Sequence, residues 1–197
     1  MPVRFFVISN SNSQTAISKQ DVLEAGEALK KAVKKAAVII NGQGYADDAL
    51  FQKFFCAASK KDQAGAVRTA VTKVLNAMDK FLHETSNTIT VQPQGKDAEA
   101  GDYAYVWPDL GRMNEVGQWF IYLGPKFNSS PAIGSGISSV PLLTLAHELS
   151  HHFGSNGFDP YKKEKYDDAA LALPSSDLMY AGNNADNYGY FIDAVGP

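Results

Sequence analysis

The pentad His147-Glu148-Leu149-Ser150-His151, set in an apolar run, admits one local conformation if its two imidazoles are to grip one metal ion. On a helix, positions i and i+4 share a face, so His147 and His151 converge. Glu148 is rotated by about 100° from His147 around the helix axis and flanks the metal, which suits a base rather than a ligand. Three of the four histidines, His147, His151 and His152, fall within six residues. His152 points away from the pair, and His83, alone near the end of a predicted helix, reads as structural. A catalytic zinc ion needs one more protein ligand and an open position for water, whose pKa it brings down towards about 7.

At 197 residues and 45% hydrophobic, the chain is long enough for a substantial core. We expect a single domain over 1–197, with a helical part at about 1–86 and a sheet and active-site part at about 87–197. A formal net charge of −3 and the lack of a long basic block argue against a nucleic-acid partner. Cys56 is the only cysteine, so an intramolecular disulfide and a cysteine-based zinc site are both excluded. The apolar stretch Phe5 to Ile8 is too short for the core of a signal peptide, and no run approaches a membrane span. The expectation is therefore cytoplasmic synthesis, no membrane partner, and export, if any, by a specialised secretion system.

Ser18 followed by Asp21 resembles a capping box, and Val22, Gly26, Leu29, Val33 and Ala36 recur at helical spacing, which predicts a helix from about Lys19 to Ala36. A short helix carrying Leu50, Phe51, Phe54 and Phe55, and a longer one from about Ala64 to Glu84, follow. After Asn87 the runs Thr88 to Gln92, Tyr103 to Trp107 and Gln118 to Leu123 are β-branched or aromatic and bounded by Gly, Pro, Asn or Asp. They predict one small antiparallel sheet. The pentad helix is expected from about Pro141 to Phe153, with Pro141 in its first turn and Gly154 at its C-cap. The fold class is thus α+β, a mainly helical N-terminal half followed by the sheet, the active-site helix and C-terminal helices.

Several downstream residues are candidates for the third ligand. The metzincin pattern would continue to a histidine or aspartate at position 157, which is Gly here. Ser176-Asp177-Leu178-Met179-Tyr180 nevertheless looks like a Met-turn. Glu164, the only glutamate after Glu148, sits among lysines and is a poor ligand. That leaves Asp159, Asp167, Asp168, Asp177, Asp186 and Asp193.

From about Tyr45 onward the chain resembles the aspzincin metalloendopeptidases, the family of deuterolysin and the fungal peptidyl-Lys metalloendopeptidases, whose fold is zincin-like. The resemblance is carried by Tyr103-Ala104-Tyr105-Val106-Trp107-Pro108, by Ile121-Tyr122-Leu123-Gly124 with Phe127, and by Thr144 to His151. Most specific is Asn184-Ala185-Asp186-Asn187-Tyr188, similar to the family's closing Asn-Ala-Asp-x-Tyr motif. The resemblance implies a zinc endopeptidase with one Zn2+ per chain. The family's third ligand lies in a Gly-Thr-x-Asp motif followed by Tyr-Gly. Its nearest counterpart is Gly157-Phe158-Asp159, with Asp167 and Asp168 as alternatives, and Tyr166-Asp167 stands in for Tyr-Gly. Tyr166 is then the expected donor to the oxyanion, with Tyr161 its rival. Lysine-specific members line the pocket after the scissile bond with two acidic residues. Asp186 matches the first and Gly189 occupies the place of the second, which implies a looser basic preference.

The expected activity is peptide-bond hydrolysis by zinc on His147, His151 and Asp159, with Glu148 as general base. The partners expected are a protein or peptide substrate and, for a secreted effector or toxin, a cognate inhibitor or immunity protein, around a monomer. A metzincin peptidase, a metal-dead binding module retaining the fold, and a zinc hydrolase of non-peptide bonds are the rival readings.

Overall fold

The computed structural model describes residues 3–7, 17–84, 88–93, 103–106, 118–129, 136–155 and 165–197. The first strand, β1, is Arg4–Val7, and the first helix, α1, is Lys19–Asn41. The Ser18 side chain accepts from the Asp21 N–H at 3.0 Å and caps α1. The helix runs beyond Ala36 because Val38, Ile39 and Ile40 keep it going until Gly42 ends it. At Gly26 of α1 the Phe5 ring of β1 packs close, since a Cβ there would lie 2.7 Å from it.

Helix α2 is Ala49–Phe54, started by Asp48, whose carboxylate accepts from the N–H groups of Leu50 and Phe51. Helix α3 is Ala64–Glu84. Strands β2 (Thr88–Pro93), β3 (Ala104–Tyr105) and β4 (Gln118–Leu123) complete the sheet. Helix α4 is Val140–His152, α5 is Asp167–Ser176, α6 is Leu178–Ala181 and α7 is Ala185–Val195.

The sheet has the order β1-β2-β4-β3, and here the expectation fails. β1 pairs with β2 in parallel, Arg4 opposite Thr88 to Val7 opposite Val91, and β2 pairs with β4 in parallel, Thr88 opposite Gln118 to Pro93 opposite Leu123. Only β3 runs antiparallel to its neighbour, with Ala104 opposite Leu123 and Tyr105 opposite Tyr122. The sheet is therefore mainly parallel, not antiparallel. Parallel neighbours need long crossovers rather than hairpins, and α1 to α3 supply one between β1 and β2. β1 itself was not anticipated as a strand.

One core cluster joins the two parts of the chain. It takes Leu29 and Val33 from α1, Val71 and Met78 from α3, Ile89 and Ile121 from the sheet, Leu145 and Leu149 from α4, and Tyr188 and Phe191 from α7. Phe55 packs its ring 5.2 Å from both Tyr188 and Phe191. Helix α4 lies at the centre, against α1, α3 and α7. Every residue from Thr144 to His151 is buried, as expected for a helix with neighbours on all sides. Among the described residues, no helix is long and apolar enough to cross a membrane.

Candidate active site

Helix α4 is held in place at its start by two caps. The Ser139 hydroxyl accepts from the Leu142 N–H at 3.3 Å. The buried carboxylate of Asp193, from α7, accepts from the N–H groups of Ser138 at 2.6 Å and Ser139 at 2.8 Å. Unpaired N–H groups and the positive end of the helix dipole make this a favourable place for a carboxylate. Burial still raises the Asp193 pKa above the ordinary value, against the lowering effect of its two N–H partners.

One helical turn brings His147 and His151 together as expected. Their Nε2 atoms are 3.2 Å apart, and the ligating atoms of His147, Glu148 and His151 all lie within 4.8 Å of one another. Two nitrogens bound at about 2.0–2.1 Å to one tetrahedral zinc ion would be about 3.3–3.4 Å apart, so the two donors already have the spacing that zinc requires. His147 and His151 are each 9% exposed and Glu148 is 5% exposed, so the three side chains are largely shielded from solvent.

The protonation states suit the same purpose. Asp186 Oδ1 lies 2.7 Å from Nδ1 of His147. A carboxylate only accepts, so in the neutral ring Nδ1 carries the proton and Nε2 keeps its lone pair for a metal. His151 is pushed down to about 3, foremost by burial and then by the neighbouring His147, against a hydrogen bond with the Ser155 backbone. Both effects keep the ring in the neutral, ligating form at ordinary pH. His152, pushed down to about 2 by burial and by His151, is not part of the metal-ligating cluster.

Asp186 engages two neighbours. It is 6% exposed, with Oδ1 on His147 and Oδ2 accepting from the Asp167 N–H at 3.0 Å. Gly189 lies at the crossing of α7 and α4, where a Cβ would stand 3.1 Å from the Leu143 carbonyl oxygen and 3.4 Å from His147 Cβ. The small residue lets the two helices approach. Asn184 binds the backbone of Lys165 on both sides, accepting from its N–H at 2.9 Å and donating to its carbonyl at 2.9 Å. The closing motif therefore holds the segment that carries Tyr166, a role its sequence did not reveal. The Tyr166 ring is 56% exposed and lies over the His147 ring, 6.2 Å between centroids and 14° between planes.

Asp167 and Asp177 have other partners. Asp177 caps α6 through the Tyr180 N–H at 3.0 Å, and Asp167 accepts from the Tyr190 hydroxyl at 3.1 Å. Asp168 is exposed on the first turn of α5. Among the described residues none of them joins the cluster of His147, Glu148 and His151. Met179 is 45% exposed, unlike a residue packed beneath a metal. Asp159, Tyr161 and Glu164 lie outside the described residues. His83 pairs its Nδ1 with Asp79 Oδ1 at 2.9 Å at the end of α3.

Residues 42–193 match the Aspzincin_M35 family, described as lysine-specific metallo-endopeptidase. The chain belongs to the aspzincin family. As an aspzincin it is a zinc metalloendopeptidase, a hydrolase acting on protein or peptide substrates, and its cofactor is one Zn2+. The aspzincin fold is also that of a solved zinc peptidase from Grifola frondosa, at a TM-score of 0.63 and 22% identity over 91% of this chain and 96% of that one. Among curated proteins, none is significantly similar in sequence.

Proposed function

We propose that this aspzincin holds its zinc through His147, His151 and Asp159, that Glu148 is the general base, and that Tyr166 donates to the oxyanion. The observation that carries the reading is the pair of imidazole nitrogens 3.2 Å apart, with Glu148 beside them. Zinc, when bound, polarises the scissile carbonyl and acidifies the attacking water. Glu148, a buried carboxylate, accepts the proton of that water and returns it to the leaving amine. Asp186 keeps the His147 ring in one tautomer and one orientation. The hydroxyl of Tyr166, on a ring stacked over His147, donates to the oxygen on which charge develops. Asp159 is supported as third ligand by its place in Gly157-Phe158-Asp159 and by the engagements of Asp167, Asp177, Asp186 and Asp193 elsewhere. The side of β4 from Gln118 to Ile121, where no strand pairs among the described residues beyond the two that face β3, is the proposed seat of an extended substrate.

Glu148→Gln decides the chemistry. The amide keeps the shape of the carboxylate and cannot accept the proton, so hydrolysis of an unfolded protein substrate should fall by about 10² or more while zinc content stays at one per chain. Unchanged hydrolysis would put the base elsewhere. Asp159→Asn should release zinc and Asp168→Asn should not; the reverse result overturns the ligand assignment.

A bias for a basic residue after the scissile bond rests on the negative charge of Asp186. With both of its oxygens engaged, that charge acts from a distance and contributes no more than about 1 kcal/mol. Peptide-library cleavage read by mass spectrometry should give a mild enrichment of Lys and Arg, and strict lysine cleavage would require another acidic residue in the pocket. A role as a secreted effector or toxin, countered by a cognate inhibitor, is supported by a fold that needs no disulfide around its one cysteine. Growth arrest by the wild-type chain and not by Glu148→Gln in a host cell is the expected result, and equal growth overturns the role.

A further inference from the structure

We propose that Asp167 is a positioning residue for Tyr166, and that its left-handed backbone conformation lays the Tyr166 ring over His147. Among the described residues Asp167 is the one non-glycine residue with positive φ, at 49°. Side chains with a Cβ rarely adopt this region; Asn and Asp tolerate it best after Gly, and β-branched residues worst. The surroundings show why the chain turns this way. Asn184 holds both backbone polar groups of Lys165, and Asp186 holds the N–H of Asp167 at 3.0 Å. Tyr166 is thus pinned between two anchored residues, and Asp167 must then turn into α5 at once. A left-handed residue meets that demand. The Tyr190 hydroxyl, from α7, donates to Asp167 Oδ1 at 3.1 Å and ties the turned residue to the same helix that supplies Asp186. The outcome is the near-parallel stacking of Tyr166 on His147, at 14° between planes.

This inference rests on the reading of Tyr166 as oxyanion donor, and the test separates the two. The variants are Asp167→Gly and Asp167→Asn, which accept the left-handed region, and Asp167→Val, which resists it. In the zinc-loaded enzyme, Gly and Asn should keep kcat within about threefold of wild type, whereas Val should lose about 10- to 100-fold in kcat, the cost of a displaced catalytic group, with KM and zinc content unchanged. On a Tyr166→Phe background, Val should cost no more than about twofold further, because the two substitutions act through one group. In the metal-free protein, the Tyr166 ring proton resonances, shifted by the His147 ring, should move towards those of free tyrosine in Val and stay in Gly and Asn. Should Val not fold, Ala replaces it with the same ordering below Gly and Asn. Val or Ala as active as Gly, a loss that persists without the Tyr166 hydroxyl, or unmoved ring resonances would each overturn the proposal. Full activity in Tyr166→Phe sinks the donor role, while the resonances still decide whether Asp167 positions the ring.

Discussion

Both carboxylate oxygens of Asp186 are occupied, one by the ring of His147 and the other by the amide of Asp167. Removing the carboxylate leaves His147 free to rotate and to take the wrong tautomer. Asp186→Ala should therefore weaken zinc binding by about 10- to 100-fold, measured by competition with a chromophoric chelator. Unchanged affinity with a flattened cleavage preference would leave Asp186 a role toward the substrate and none toward the metal. His147, Glu148 and His151 were legible in the sequence because their relation is local: helical geometry alone brings them together. Asp186 lies 39 residues from His147 along the chain, and no periodicity reports which way a carboxylate that distant will face. The positive φ of Asp167 was equally silent, although Tyr166-Asp167 standing in for Tyr-Gly gave a hint of it.

The crossing of α4 and α7 sets the position of the whole metal helix. Gly189 permits it, with the Leu143 carbonyl oxygen 3.1 Å from where a Cβ would be. Alanine would favour the isolated helix by about 1 kcal/mol, but at this spacing it forces α7 off the backbone of α4, and overpacking costs about 1–3 kcal/mol. Gly189→Ala should consequently lower stability in urea unfolding and loosen zinc binding through His147. A variant more stable than wild type would mean that the helices part freely. At this scale α1, α3 and α4 could be read from apolar spacing and capping residues, which are short-range signals. Strand runs could be read too, but not their direction. Nothing local distinguishes a hairpin from a crossover, and β1 was too short a run to stand out before its partner β2 was known.

For the molecule as a whole, zinc is a ligand that binds the folded chain through residues of a pre-formed helix. Stripping it with a chelator should lower Tm without unfolding the protein at room temperature, because the core cluster spans both parts of the chain independently of the metal. The stabilisation follows mass action and reaches about 2.7 kcal/mol when free zinc is a hundredfold above Kd. A Tm that does not respond to zinc, or a metal-free chain that is unfolded, would contradict this. The two carboxylates that brace α4 both belong to α7: Asp193 at the helix start and Asp186 at its histidine. Because α7 follows α4 along the chain, it leaves the ribosome later, and synthesis at about 5–20 residues per second separates the two by seconds. A nascent polypeptide that has emerged only through His152 carries the zinc-binding pentad but neither of its braces. The braces of the metal helix thus reach it only once α7 has been made, after the pentad they hold.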